Sequence, residues 1–302
     1  MHQMKIMDYR ESYGYEIRRA RPLLGTLVEI TARGGSEGKL MHAIDQGFAA
    51  VARVERLMSF HDRNSDVGRV NRLAHRVAVR VHPWTWEVLR CAQKMSLATR
   101  GVFDITIGGE LVRTGYLPHP AGPRADARVC WHDVELLPGH RVRFRRPLYI
   151  DLGGIAKGFA VDRAVARLRA CAVDACLVNA GGDMRVFGPV PRRIHLRSPT
   201  SPGALIPFAD IVSGALATSA AYFSRSVWRG RTISPVIDGL RRRPTTTFCS
   251  ASVAASTCML ADALTKLVLL QGPRAQGLVR RLGGRPFILR AAAVATELKC
   301  AA

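Results

Sequence analysis

The chemistry in this chain is densest in Tyr149-Ile-Asp-Leu-Gly-Gly-Ile-Ala-Lys-Gly-Phe-Ala-Val-Asp162, where an apolar strand ends in an acid and a glycine pair and a helix starts with a lysine. Such a turn gathers backbone N–H groups, one cation and two carboxylates, a combination suited to a phosphorylated ligand, with or without a metal. A strand, a Gly-Gly turn and a helix also pack many ordinary αβ units, so this segment alone leaves both readings open. Lys157, six residues after Asp151, can offer a pyrophosphate a point charge and three donors; on an outer helix face it would only be solvated. Asn179-Ala-Gly-Gly-Asp183 repeats the theme, because a glycine pair after a strand lets backbone approach a ligand closely. Asp183 is expected to face the same cleft. Phe103-Asp104 follows Gly101 at a helix end, where the carboxylate can meet a ribose hydroxyl or an adenine amine, or cap the next turn.

The elements that must position these residues alternate between strand and helix. Thr26 to Thr31 alternates like a strand, and Leu40 to Phe60 carries apolar residues at helical spacing (Ile44, Phe48, Val51, Val54, Leu57, Met58). Ser65 or Asp66 is an N-cap for a short segment through Asn71. Trp84 to Thr99 predicts a helix ended at Gly101, Pro118 to Pro123 a loop, and Val129 to Ile150 short strands with turns at Pro138-Gly139 and Arg146-Pro147. A helix over Ala156 to Ala170 precedes a strand over Ala175 to Asn179, and Val186 to Ile237 reads as mostly β, broken by prolines. Met259 to Gln271 and Ala275 to Leu282 are helices separated by Gly272-Pro273. There is no internal repeat and no linker long enough to force a domain boundary.

Composition narrows the class. At 302 residues and 48% hydrophobic the chain can bury a large core. Its net charge of +22, from 45 Lys+Arg against 23 Asp+Glu, favours anionic ligands and surfaces. Nucleic acid is not the expected partner, because the arginines are scattered through every segment and aromatic residues are only 7%, with no zinc-finger or RNP-like spacing. An arginine-rich composition from a GC-rich genome is the favoured reading of the excess, and on either reading the charge would draw in an anionic dinucleotide. Seven cysteines without a C-x-x-C pair read as buried thiols in a reducing compartment. After Arg18-Arg19 the apolar run is broken by Arg21, Pro22 and Glu29, so no secretory h-region is expected. No stretch approaches the ~18 apolar residues of a membrane span, and the expectation is a cytoplasmic protein.

Seven segments in order carry a more specific signal: Arg21-Pro-Leu-Leu-Gly-Thr-Leu-Val-Glu-Ile30, Met58-Ser-Phe-His-Asp-Arg-Asn-Ser-Asp-Val-Gly-Arg-Val-Asn71, Gly101-Val-Phe-Asp-Ile-Thr-Ile-Gly108, the Asp151 turn, Val178-Asn-Ala-Gly-Gly-Asp183, Ala217-Thr-Ser219 and Ala261-Asp-Ala-Leu264. This series resembles the ApbE family, the FAD:protein FMN transferases, over roughly residues 20 to 290. The resemblance implies one α+β domain over 20–290, with mixed or antiparallel sheets and packed helices, between a flexible N-terminal extension (1–19) and a C-terminal tail (291–302). It also implies that FAD lies against Val102, Phe103 and Asp104. By the same resemblance Phe60 stands where a tyrosine is frequent, Leu24 where a methionine is usual, and Asp151, Lys157, Thr218, Ser219 and Val236 complete the FAD contacts. Thr218 and Ser219 would offer hydroxyls to phosphate oxygens, although small polar residues of this kind also form turns. Family members in many bacteria look exported or lipid-anchored, from which the N-terminus here departs.

Two departures bear on mechanism. The resemblance implies a magnesium site made by the Gly154 carbonyl, Asp262 and a threonine four residues on, but here that position is Lys266. Positions i and i+4 share a helix face, yet an ammonium cannot ligate a hard cation that demands oxygen. Three readings stay open: Lys266 replaces the metal's charge, Thr265 serves in a shifted register, or Asp262 and Lys266 form a surface pair worth about a few tenths of a kcal/mol. The second departure is a His-Ile-Ile-Asp-Pro run with its histidine near the reacting phosphate, which appears here as Pro235-Val-Ile-Asp238-Gly239. The candidates to take the attacking hydroxyl's proton are then Asp238 and Asp183, with Arg231 available to the phosphoryl charge. The function implied is transfer of FMN from FAD to a threonine of an acceptor flavoprotein, with release of AMP. The alternatives are a non-catalytic FAD carrier of the same fold and, more remotely, a basic nucleic-acid-binding protein.

Overall fold

The computed structural model describes residues 14–120, 123–198, 203–220, 224–246 and 249–289. The described residues start with a hairpin, β1 (Glu16–Leu23) and β2 (Thr26–Arg33), followed by helices α1 (Glu37–Met58) and α2 (Asp66–Leu73). Then come β3 (Val79–Arg80), α3 (Pro83–Ala98), α4 (Gly108–Arg113), β4 (Val134–Leu137) and β5 (Arg141–Phe144). Helix α5 (Ala156–Ala170) leads into β6 (Ala175–Ala180) and β7 (Asp183–Phe187), then the hairpin β8 (Arg192–Arg197) and β9 (Leu205–Ile211), and β10 (Gly214–Ala220). Four short strands, β11 (Ser226–Trp228), β12 (Arg231–Ile233), β13 (Ile237–Asp238) and β14 (Arg243–Pro244), precede β15 (Ser250–Ala255), α6 (Cys258–Gln271), α7 (Gln276–Arg281) and β16 (Arg285–Leu289).

The main sheet has seven strands in the order β1-β2-β6-β7-β10-β15-β16, every neighbour antiparallel. The expected α+β class therefore holds, with the sheets antiparallel and not mixed among the described residues. Two hairpins explain why alternating elements do not build a parallel sheet. Leu24 and Gly25 join β1 to β2, and Gly181 and Gly182 join β6 to β7, all four with positive φ as two-residue hairpin turns require. Leu24 adopts this conformation without being a glycine, and its N–H donates to Glu55 Oε1 at 2.8 Å.

Strand periodicity sorts the sheet's side chains between two layers. On one face Asp183 and Arg185 of β7 meet Lys157 and Asp162 of α5. On the other, Met184 and Val186 pack with Ile194, Leu196 and Leu216 beneath the β8–β9 hairpin. The helical layer is tightly fitted. A Cβ at Gly158 of α5 would lie 2.2 Å from the Cys258 carbonyl oxygen, so only glycine lets α5 and α6 meet there. Asp162 caps the start of α6, accepting the N–H groups of Cys258 and Met259 at 2.9 Å each. Of the cysteines, Cys176 and Cys258 are buried, and burial pushes the Cys176 thiol up to about 12.

One boundary is corrected. The expected flexible extension over 1–19 runs into β1, which starts at Glu16 and pairs with β2 along its whole length. As an edge strand with mostly exposed residues it lacks the apolar alternation that marks a half-buried strand. Residues 1–13 and the expected tail, 291–302, lie outside the described residues. Among the described residues no helix is long and apolar enough to cross a membrane.

Candidate active site

A cleft of about 1020 Å³ opens between the end of the main sheet, the start of α5 and the segments on either side of α4. That volume suits a large organic ligand. Twelve of the residues expected at the site line it: Leu24, Phe60, Val102, Phe103, Asp104, Asp151, Gly154, Lys157, Thr218, Ser219, Val236 and Lys266. Phe60, Val102 and Phe103 are themselves nearly buried and give the cleft a firm apolar wall. Asp183, Asp238 and Asp262 are not among its walls.

Asp183 and Asp262 lie beneath the two lysines. Lys157 Nζ meets Asp183 Oδ2 at 2.5 Å, and Lys266 Nζ bonds Asp262 Oδ1; both carboxylates are fully buried. Burial pulls the Lys157 ammonium down, but Asp183, Asp262 and the hydrogen bond outweigh it and its pKa is raised. Burial likewise pushes the Asp262 carboxyl up, but Lys266 and Lys157 outweigh it and hold it below its usual value. For Asp183 burial, reinforced by the nearby Asp262 charge, prevails over Lys157, and its pKa is raised. Its Oδ1 is buried without a hydrogen-bond partner.

Lys266 sits in a small oxygen cage. Besides Asp262 Oδ1 its ammonium donates to Ser219 Oγ at 3.1 Å and to the Asp262 carbonyl at 3.2 Å. Ser219 Oγ also meets Thr265 Oγ1 at 2.7 Å, and Thr265 donates to the same Asp262 carbonyl at 2.7 Å. The Lys266 stem passes over the glycine turn: its Cε is 3.4 Å from where a Cβ on Gly154 would stand. Thr218 and Ser219 divide their work, as adjacent strand residues must. Thr218 Oγ1 pairs with Ser252 Oγ at 2.8 Å on the neighbouring strand.

These residues do not fit a divalent cation. The oxygens gathered at the expected place already surround an ammonium whose three N–H groups they satisfy. The Thr265 hydroxyl is engaged within the same network. Among the described residues there is no group of three or more His, Cys, Asp or Glu able to hold a metal ion.

The remaining acids are placed differently. Asp151 stands on the cleft, held by two flanking contacts: its own N–H donates to the Ile105 carbonyl at 2.8 Å, and Asn71 clamps the preceding peptide by accepting from Ile150 N–H at 2.8 Å and donating to its carbonyl at 3.0 Å. Burial pushes the Asp151 carboxyl up, opposed by the Gly153 N–H, His61 and Lys266. Asp104 caps the turn after it, accepting from Thr106 N–H and Oγ1 at 2.8 Å each and from Trp131 N–H at 3.1 Å. Burial raises its pKa against those bonds and the Arg242 charge. The Asp104 carboxylate thus organises the wall while the segment around it forms the surface. Asp238 folds back on its own turn, accepting from Leu240 N–H, Arg241 N–H and Arg241 Nη1. Arg231 lies exposed in β12, outside the cleft lining.

Several wall residues escaped the sequence reading. His61 and His195 both line the cleft, and His61 is close enough to Asp151 to favour its charge. His61 adjoins the expected contact Phe60, which was the available signal. Arg242, at positive φ, grips Glu110 through two bonds and Thr106 through two more, pinning the β13–β14 hairpin to the Asp104 wall. The Tyr116 hydroxyl shares its one proton between the carbonyls of Ser224 and Ile233, tying the β11–β12 excursion to the segment after α4.

The fold and cleft define an α+β protein whose glycine turns and two lysines, each set over a buried carboxylate, face one large opening. The chain belongs to the ApbE family, whose profile matches residues 24–288. It is 28% identical over 233 residues to an FAD:protein FMN transferase of Vibrio cholerae, covering 71% of this chain and 69% of the relative. With the FAD:protein FMN transferase of Escherichia coli it shares 25% identity over 268 residues, 80% of this chain and 72% of the relative. The ApbE protein of Thermotoga maritima superposes with a TM-score of 0.79 at 26% identity, over 91% of this chain and 94% of that one. The apo flavinyl transferase ApbE of Pseudomonas stutzeri, 21% identical with a TM-score of 0.76 over 92% and 96% of the two chains, shares the fold.

Proposed function

We propose that this chain is an FAD:protein FMN transferase that moves FMN from FAD to a threonine hydroxyl of an acceptor flavoprotein and releases AMP. The observation that carries this is the pair of lysines, Lys157 and Lys266, facing one cleft beside two glycine turns in a chain of this family. The ammonium groups attract the FAD diphosphate, and the first turn of α5 adds the positive end of a helix. Leu24, Phe60, Phe103 and Val236 supply apolar surface for a ring system.

In the reaction, the threonine oxygen forms a bond to the FMN phosphorus while the bond from that phosphorus to the AMP oxygen breaks, and AMP carries away the electron pair. The hydroxyl proton needs an acceptor. Asp183 lies under Lys157, and Asp238 is tied to Arg241. His61, on the cleft wall near Asp151, is the group we assign to that role, since an imidazole nitrogen can accept the proton while those two carboxylates are engaged.

The test incubates the purified protein with FAD and an extract of its host, followed by denaturing electrophoresis. A fluorescent band that survives denaturation, with FMN located on a threonine by mass spectrometry and AMP in the supernatant, is the expected result. FAD bound without covalent transfer would favour a carrier, and no FAD binding would overturn the reading.

A further inference from the structure

We infer that the Lys266 ammonium is a built-in cation at the FAD diphosphate, so that this cleft binds FAD without a divalent metal. The inference rests on the FAD-dependent reading above. Three observations support it. The ammonium occupies an oxygen cage of Asp262 Oδ1, the Asp262 carbonyl and Ser219 Oγ, and so engages the Asp262 oxygens that a hard cation at this place would need. The hydroxyl chain from Ser219 through Thr265 to the Asp262 carbonyl points a Ser219 lone pair at Lys266, so the cage is oriented to receive an N–H. Below the cleft, each of the two buried carboxylates is already matched by one lysine. A divalent ion added there would have to displace the ammonium from Asp262, whereas the anionic diphosphate meets a cation already in place on the cleft wall. A lysine is fitted to this role because it carries a compact point charge, which its buried partners hold in one place.

The experiment measures FAD affinity by quenching of flavin fluorescence, in chelator and in added magnesium, alongside calorimetric titration of magnesium alone. The wild-type protein is expected to bind FAD with equal affinity in both conditions, within about twofold, and to give no heat with magnesium. Lys266→Thr is expected to lose about tenfold or more in chelator and to recover when magnesium is added, because an oxygen replaces the ammonium. Lys266→Met, with circular dichroism to check folding, is expected to lose affinity in both conditions. The wild-type comparison needs no variant and so decides the matter even if a substitution unfolds the protein. Wild-type binding that collapses in chelator and returns with magnesium would overturn the inference, as would a folded Lys266→Met that binds FAD normally. Metal-free, Lys266-dependent FAD binding without AMP release would support the cation assignment while counting against the transferase reading, so the two failures are distinguishable.

Discussion

Lys157–Asp183 and Lys266–Asp262 present the same face to the cleft and differ underneath. Lys266 and Asp262 lie one turn apart on α6, so the local helix sets their meeting. Asp262 is well served, since its second oxygen accepts the Gly158 N–H at 3.1 Å from the first turn of α5. Lys157 and Asp183 come from α5 and β7 and meet only when the helical layer docks on the sheet. Asp183 keeps one buried oxygen without a hydrogen-bond partner. Two like-charged pairs can therefore have unequal tolerance to damage: the one assembled by tertiary packing has no reserve donor.

The sharpest way to break this comparison is Lys157→Ala. Removing the partner of a buried carboxylate costs about 3–5 kcal/mol, and Asp183 has no second donor to soften the loss. Urea denaturation should show a stability loss of that size as a lower midpoint without a change in slope, and a stability equal to wild type would contradict the pairing. His61→Ala addresses the other half of the comparison, that both carboxylates are engaged and a histidine takes the proton. Loss of a general base lowers the transfer rate by about a hundredfold or more, with FAD affinity nearly unchanged; an unaltered rate would return the role to an acid.

Ser219→Ala removes one of the three oxygens around Lys266 and the partner of Thr265. The expected cost is about 1 kcal/mol, seen as a small fall in denaturation midpoint, with the Lys157 pair untouched. At neutral pH the two pairs should look alike, and only the extremes separate them. Asp262 has a folded value held below 3.8, so its contribution is complete above 3.8 and disappears as pH falls through the folded value. Lys157 has a folded value raised above 10.5, so its contribution is complete below 10.5 and disappears as pH rises through the folded value. Stability measured against pH in Asp262→Asn should lose part of the acid limb and, because the Asp262 charge also helps to raise Lys157, a smaller part of the alkaline one; an unchanged acid limb would contradict the assignment.

Much of the site could be read from spacing because its contacts are local. The Asp151 turn, Lys157 and the Gly181-Gly182 hairpin announce themselves through glycines at fixed offsets, and the helix Ala156–Ala170 has the expected bounds. Contacts that join distant segments could not be read that way. Nothing near Asp183 in sequence points to Lys157, and nothing in Pro235-Val-Ile-Asp238 shows that the acid folds back onto Arg241. The edge strand β1 was hidden by its charged, exposed residues. His61 and Arg242 are ordinary residues in sequence; only the packing of α2, α4 and the β13–β14 hairpin brings them to the cleft or its supports.

The most direct test of the account is to mix the purified protein, FAD and host extract in chelator and to measure AMP and covalently bound flavin together. The account predicts that AMP appears in step with flavin on an acceptor threonine, without added metal. FAD bound in chelator with neither product formed, and none formed on adding magnesium, would contradict it.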